Sequence, residues 1–125
     1  MSKYVQWETY RGKRMLFVNC ARLGEAEIIV AFDEMKDELL KDRTGPIVLI
    51  DVSGIDMTTA VISKAKELTA VTKDVGMKDG PNAIVGLTGL QKAVAQLFGR
   101  GVHFTDSVEE AKEWLVREDE KRKKR

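Results

Sequence analysis

Five side chains that can bind an anion, a cation or a partner protein fall within nine residues of the sequence. They are Asp51, Ser53, Asp56, Thr58 and Thr59. The two threonines stand at the predicted start of a helix, where backbone N–H groups and the helix dipole favour a phosphate. The same position suits a threonine that only caps the helix. The two aspartates could hold a cation or a partner's basic residue, although aspartates after a strand also close turns by accepting nearby amide hydrogens.

Hydrolytic and metal chemistry have little support in the sequence. Ser53, His103 and Asp106 can be combined into a triad, but Ser53 lacks the Gly-x-Ser-x-Gly turn that exposes a nucleophile. His103 is the single histidine, so a zinc site would need carboxylates alone. Cys20 ends an apolar run without a basic neighbour, which predicts a buried thiol. We therefore predict a protein that is not an enzyme, with no catalytic residue, metal or cofactor.

A second candidate surface is apolar. Ile28, Ile29, Val30 and Phe32 lie in a predicted helix, and Val30 falls off its core-facing side. The four residues belong to an ordinary core helix, or else they form a patch that seats a hydrophobic ligand, a partner or a membrane.

The end of the chain is basic. Residues 117–125 hold six basic and three acidic side chains, which leaves 15 basic and 17 acidic side chains in the rest of the chain. We predict a single domain over residues 1–116 and a charged tail over residues 117–125. The basic residues of this tail could contact anionic lipid at about 1 kcal/mol each, or could be a solvated extension of the last helix. They are Lys121, Arg122, Lys123, Lys124 and Arg125.

The spacing of apolar residues predicts the element order ββαβαβαβα. Alternation over residues 4–10 and an apolar run over residues 14–20, joined by Arg11-Gly12-Lys13, predict a hairpin. Residues 47–50, 83–87 and 102–104 predict short buried strands, and helical periodicity covers residues 25–41, 58–74 and 90–98. A capping-box pattern from Ser107 to Glu110 opens a fourth helix. This order implies an α/β fold with a mainly parallel sheet and an antiparallel first strand.

The composition fits one globular domain. The chain has 125 residues, of which 43% are hydrophobic and 33% charged. No stretch approaches the roughly 20 apolar residues of a membrane-spanning helix, and the first residues lack the apolar core of a signal peptide. We therefore expect a cytoplasmic protein. Because the body of the chain has no basic stripe, we expect no nucleic-acid partner.

Three segments resemble the STAS domain, the fold of anti-sigma factor antagonists. They read Ile-Val-Leu-Ile-Asp-Val-Ser-Gly at residues 47–54, Ala-Ile-Val-Gly-Leu-Thr-Gly-Leu at residues 83–90 and Phe-Thr-Asp-Ser-Val-Glu-Glu-Ala-Lys-Glu-Trp-Leu at residues 104–115. The chain looks most like an uncharacterised branch of that family with CRAL-TRIO-like, lipid-carrier features. The resemblance implies a four- or five-stranded sheet backed by helices.

In regulatory members of the family, the resemblance implies a phosphorylatable serine at the start of the helix after the second buried strand, within an Asp-Ser-Ser-Gly-type motif. Here the matching residues are Asp56-Met57-Thr58-Thr59-Ala60. The serine and the second glycine are missing, so only Thr58 or Thr59 could take the phosphate.

Two hypotheses for the function follow. The first is an interaction module that docks a protein partner around residues 56–60, with threonine phosphorylation as a gate. The second is a carrier or sensor of a hydrophobic ligand at a membrane surface. The sequence identifies neither the partner nor the ligand, and it leaves a homodimer open.

Overall fold

The computed structural model of the chain describes residues 3–42, 45–74, 80–88 and 102–123. These residues form five strands and three helices. In chain order the elements are β1 (Val5–Tyr10), β2 (Lys13–Asn19), α1 (Glu25–Lys41), β3 (Ile47–Asp51), α2 (Thr59–Asp74), β4 (Asn82–Val85), β5 (Val102–Thr105) and α3 (Val108–Lys123). The helix predicted over residues 90–98 lies outside the described residues.

The five strands form one mixed sheet in the order β1-β2-β3-β4-β5. β1 is antiparallel to β2, and every other neighbouring pair is parallel, which confirms the predicted sheet. The turn between β1 and β2 contains only Arg11 and Gly12, with φ of 51° and 78°. Two positive φ angles give a turn whose twist matches that of the two strands, and therefore a tight hairpin.

α1 and α2 pack on one face of the sheet. The core-facing side of α1 is buried through Ile28, Phe32, Met35 and Leu39 at the predicted helical spacing. α2 packs beside α1, where the Lys64 ammonium lies 2.7 Å from the Asp33 carboxylate. This hydrogen bond holds the pKa of Asp33 below its usual range.

α3 covers the opposite face. Its side chains Ala111 and Leu115 are fully buried against Met15, Leu49 and Val85 of the sheet. The helix is apolar only along this stripe, which explains why a strongly charged segment still folds onto the sheet.

Residues 117–123 continue α3, so the charged segment after residue 116 extends the last helix. Asp119 is only 2% exposed, and its carboxylate accepts a hydrogen bond from Arg122 at 2.6 Å and pairs with Lys13 at 3.5 Å. Arg122 also donates to the carbonyl oxygen of Gly45 at 2.6 Å. Arg122 therefore connects α3 to the segment before β3.

β2 to β5 are parallel, so their carboxyl ends meet at one edge of the sheet. We call this edge the carboxyl edge, and it comprises Asp51 at the end of β3, the loops of residues 20–24, 52–58, 86–88 and 106–107, and the first turns of α1 and α2. All three described helices begin there, because each follows one of these strands. Ligands of open parallel sheets bind at such an edge, where loops and helix N-termini converge.

Candidate functional site

Asp51 and Ser53 form the first turn of the carboxyl edge. Asp51 is the last residue of β3, and its Oδ1 accepts hydrogen bonds from the Ser53 amide at 3.0 Å and the Ser53 hydroxyl at 2.7 Å. This is the turn-closing role that an aspartate after a strand commonly has. Asp51 therefore positions the backbone of the loop, with one of its oxygens already occupied.

The ends of β3 and β4 touch at Ser53 and Gly86. A Cβ atom on Gly86 would lie 2.2 Å from Ser53 Oγ, and Gly86 has a φ of 91°. Only glycine satisfies both requirements, since it has no side chain and tolerates positive φ. The Ser53 carbonyl also accepts a hydrogen bond from the Arg22 amide at 2.8 Å, so the loops after β2, β3 and β4 are joined.

Thr58 is the N-cap of α2. Its Oγ1 accepts a hydrogen bond from the Val61 amide at 3.3 Å and donates one to Glu25 Oε1 at 2.5 Å. The half-buried hydroxyl thus links the first turns of α1 and α2. The sequence indicated the cap but not its contact with Glu25. The contact could have been found from the rule that helices following parallel strands begin at the same edge.

Thr59 differs from its neighbour. It is the first residue of α2 and is exposed, as are Asp56 and Ala60. The backbone beneath these residues is fixed, because the Thr58 amide bonds the Asp56 carbonyl at 3.1 Å and Ile55 is buried. The structure therefore gives the two threonines separate positions. Thr58 is bound inside the helix cap, and Thr59 faces solvent at the positive end of the helix.

The carboxyl edge is acidic around this point. Asp56, Glu25 and Glu27 are exposed there, and Arg22 is the exposed basic side chain of the loop after β2. Arg22 has a φ of 61° and packs its side chain near Gly54. A surface of this charge suits basic groups on a partner.

The apolar candidates on α1 do not share one surface. Ile28 and Phe32 belong to the core, with exposed fractions of 1% and 7%, whereas 47% of Val30 is exposed. Ile29 is intermediate. Neighbouring residues of a helix differ by about 100° in direction, so four residues within one turn and a half must divide between core and solvent. The exposed patch predicted from these four residues is not formed.

A different apolar row lies on the sheet. Val18, Ile50, Ile84 and Phe104 are register partners across β2, β3, β4 and β5, on the face that carries α1 and α2. Val18 is fully buried, whereas the other three are intermediate. The row therefore becomes more accessible from β3 onwards.

His103 and Asp106 do not join Ser53 in a catalytic arrangement. The His103 ring stacks on Trp114 with centroids 4.6 Å apart, and its Nε2 lies 3.6 Å from Glu110 Oε1. The Ser53 hydroxyl donates to Asp51 instead. Among the described residues no group of three or more His, Cys, Asp or Glu side chains could hold a metal ion.

The predicted capping box at the start of α3 is half formed. The Glu110 amide donates to Ser107 Oγ at 3.2 Å, as expected. The Glu110 carboxylate does not return to the serine, because its Oε2 accepts the Thr105 hydroxyl at 2.7 Å. This hydrogen bond is the main reason that the pKa of Glu110 is lowered.

The remaining predicted residues are placed as follows. Cys20 is fully buried, as the sequence indicated, and burial raises the pKa of its thiol to about 12. Lys121 is exposed on α3, and Lys124 and Arg125 lie outside the described residues. Lys123 is the last residue of the helix. Over the described residues, no helix combines the length and apolar character that crossing a membrane requires.

Comparison with known proteins supports the fold. No family model matches the sequence, and no curated protein matches it. The structure is similar to that of an uncharacterised protein of the DUF3478 family with a SpoIIAA-like fold, from Shewanella loihica PV-4. The TM-score is 0.65 at 20% identity, over 89% of this chain and 91% of that chain. The resemblance inferred from the sequence is therefore confirmed in the sheet and its helices: the chain has a SpoIIAA-like, or STAS, fold.

Proposed function

We propose that this protein is a non-enzymatic interaction module that docks a partner protein at the carboxyl edge, around Asp56 to Ala60. One observation carries the proposal: the loop into α2 is held rigidly by its own hydrogen bonds while Asp56, Thr59 and Ala60 remain exposed. A surface that is both ordered and accessible binds with a small entropic cost, because little of it must be immobilised. The surrounding acidic side chains favour a partner with basic residues at the contact.

Thr59 is the residue we propose as the phosphate acceptor of this surface. A phosphate on Thr59 would face solvent at the N-terminus of α2, where the dipole and free amides stabilise negative charge. A phosphate on Thr58 would displace a hydroxyl that now donates to Glu25 and would bring two negative groups together. Phosphorylation of Thr59 would make an already acidic edge more negative, and so would change its affinity for a partner without unfolding the helix.

Site-specific photocrosslinking tests the docking surface. A benzophenone amino acid at Thr59 should crosslink the same protein from the native host in repeated experiments, and Asp56→Arg in the same chain should abolish that crosslink. The matched control places the benzophenone at Glu120, which is exposed on α3 and far along the chain from the edge. Equal crosslinking from both positions, or a crosslink that survives Asp56→Arg, contradicts the proposal.

A hydrophobic ligand is the second candidate, and the row formed by Val18, Ile50, Ile84 and Phe104 favours it. Three of the four side chains are only partly covered, although they lie on the face that carries two helices. A ligand seated there would extend the core of the sheet towards β5. The test is a titration with a fluorescent fatty acid, in which Ile84→Gln should weaken binding while Val30→Gln should not. Equal affinity of the two variants contradicts this candidate.

A further inference from the structure

β1 is an edge strand of the sheet that the described residues form, and its outward backbone groups include those of Trp7 and Thr9. The Asn19 amide donates to the Tyr4 carbonyl at 2.8 Å, which identifies this pair as a hydrogen-bonded one. Hydrogen-bonded pairs alternate along an antiparallel ladder, so Gln6, Glu8 and Tyr10 direct their backbone groups towards β2. Trp7 and Thr9 direct their N–H and C=O groups away from it, and no described strand pairs with them.

α1 lines this edge with carboxylates. Glu27 accepts a hydrogen bond from the Tyr4 hydroxyl at 2.8 Å, and Glu38 accepts one from Trp7 Nε1 at 2.9 Å. Glu34 lies between them, since residues 27, 34 and 38 fall within about 40° of one another around a helix. Two independent contacts with the first strand therefore place this flank of α1 beside β1.

Within the described part of the chain, Glu34 is the member of this row for which no hydrogen bond or ion pair is seen. Its Oε2 is buried and has no hydrogen bond, which is costly for a carboxylate oxygen. Arg14 does not supply the missing donor, because its guanidinium stacks on the Trp7 ring at 3.7 Å and pairs with Asp42 at 3.2 Å. One turn before Glu34, Val30 is the exposed large hydrophobic residue of the described chain.

We propose that the free edge of β1 binds an extended segment of a partner protein, and that a lysine or arginine of this segment pairs with Glu34. The segment would add a strand beside β1, with main-chain hydrogen bonds to Trp7 and Thr9. Alternate side chains of the added strand lie on the α1 face of the sheet, where they meet Glu34 and Val30. This surface is distinct from the docking surface around Asp56 to Ala60, so it would serve a second contact of the same module.

The negative charge beside β1 favours a basic segment over a second copy of the chain as the occupant of this edge. Pairing two β1 strands would bring Glu27 and Glu34 against the same residues of the second copy, and like charges in such a contact are unfavourable. Glu38 adds little to this repulsion, because Lys41 pairs with it at 2.9 Å. A strand with basic residues would donate a hydrogen bond to Glu34, and its main-chain groups would pair with those of Trp7 and Thr9. The edge also has no proline or inward-facing lysine within β1, the features that commonly block strand addition.

The test uses three blocked peptides and observes the Trp7 and Thr9 amides by NMR and hydrogen exchange. The first peptide is Thr-Val-Lys-Val-Lys-Val-Thr, the second has glutamate in place of both lysines, and the third is the first with N-methyl groups on alternate residues. The lysine peptide should slow exchange of both amides by about tenfold or more at saturation, because strand addition engages them directly. The other two peptides should leave exchange unchanged.

Two variants of the protein complete the experiment. Glu34→Gln should weaken the lysine peptide by about tenfold, since it removes a charge-assisted hydrogen bond in a partly buried site. The matched control, Glu120→Gln on α3, should bind as the original chain does. Thr9→Pro should abolish protection at the edge, and its outward N–H is not needed by the β1–β2 ladder.

Five results would overturn the proposal. Four of them concern the peptides: no change at Trp7 and Thr9 with the lysine peptide at millimolar concentration, equal binding of the glutamate peptide, equal binding of the N-methylated peptide, and equal affinity of Glu34→Gln for the lysine peptide. A concentration-dependent dimer in which both amides are already protected without peptide would also overturn it, because the edge would then belong to a second copy.

Discussion

Replacing Thr58 by alanine should destabilise the protein, whereas replacing Thr59 should not. Thr58 Oγ1 accepts the Val61 amide and donates to Glu25, while Thr59 is exposed at the first position of α2. Loss of an N-cap costs about 1 kcal/mol. Loss of the hydrogen bond to Glu25 at the surface adds about 0.5–1 kcal/mol. The expected total for Thr58→Ala is therefore about 1.5–2 kcal/mol, against a few tenths for Thr59→Ala.

Urea unfolding followed by circular dichroism measures both changes. A loss of 1.5–2 kcal/mol should lower the midpoint by about 1 M, since the slope for a domain of this size is about 1–3 kcal/mol per M. Thr58→Ser is the matched control, because serine keeps the capping oxygen and should leave the midpoint near its original value. Glu25→Ala should lose part of the same free energy, and the double variant with Thr58→Ala should lose less than the sum of the two. Equal losses from Thr58→Ala and Thr59→Ala would refute the assignment of separate roles.

Three further predictions concern stability. Gly86→Ala should lower the free energy of unfolding by about 2–4 kcal/mol, because the added Cβ would meet Ser53. Gly12→Ala, at a φ of 78° but with open space around it, should lower it by about 1 kcal/mol, and comparable losses for the two variants in thermal unfolding would disprove the close approach at Gly86. Asp119→Ala should lower the free energy of unfolding by about 3 kcal/mol, because Lys13 and Arg122 would lose their buried counter-ion. Glu118→Ala should lower it by less than 0.5 kcal/mol in the same assay, and a similarly small effect of Asp119→Ala would show that this end of α3 is not anchored. The pKa of Glu110 is lower in the folded protein than in the unfolded chain, so the stability that this carboxylate contributes is present above the unfolded pKa and is lost as the pH falls through the folded pKa. Glu110→Gln should therefore flatten the dependence of the unfolding midpoint on pH in the acid range, and an unchanged profile would contradict this prediction.

Most of the fold was predictable because the elements carry local signals. The bounds predicted for α1 coincide with those of the structure, and α2 begins one residue later than predicted because Thr58 is its cap. The hairpin followed from a turn with a glycine, and the parallel sheet from alternation of strands and helices. In each case neighbours along the chain decide the structure, so spacing alone is informative.

Contacts between distant residues were less predictable. The sequence left the residues after 116 as either a charged tail or an extension of the last helix. The helix continues to Lys123, since Asp119 is neutralised by Lys13 of β2 and by Arg122, and the carbonyl of Gly45 accepts a further hydrogen bond. A run of charges in the sequence does not reveal that one carboxylate will be buried between two cations. The sequence also left open whether Ile28, Ile29, Val30 and Phe32 belong to a core helix or to an apolar patch, and helical geometry divides them between core and solvent.

The candidate site was predicted in its residues but not in its contacts. Asp51, Ser53, Asp56, Thr58 and Thr59 do lie together at the carboxyl edge. Their division into structural and accessible groups depends on Glu25 and Gly86, which are 26 or more residues away along the chain from Asp51. The similarity to a DUF3478 protein supports the fold and leaves the docking surface to be tested directly.

Native mass spectrometry of the protein purified from its own host, without detergent, tests the central claim most directly. We predict a complex with a protein partner, or the chain carrying a single phosphate that disappears in Thr59→Ala and persists in Thr58→Ala. The Asp56→Arg variant should lose the partner while the chain itself stays folded. A lipid-sized ligand on the chain, with no bound protein and no phosphate dependent on Thr59, would contradict the docking function and favour the apolar row on the sheet.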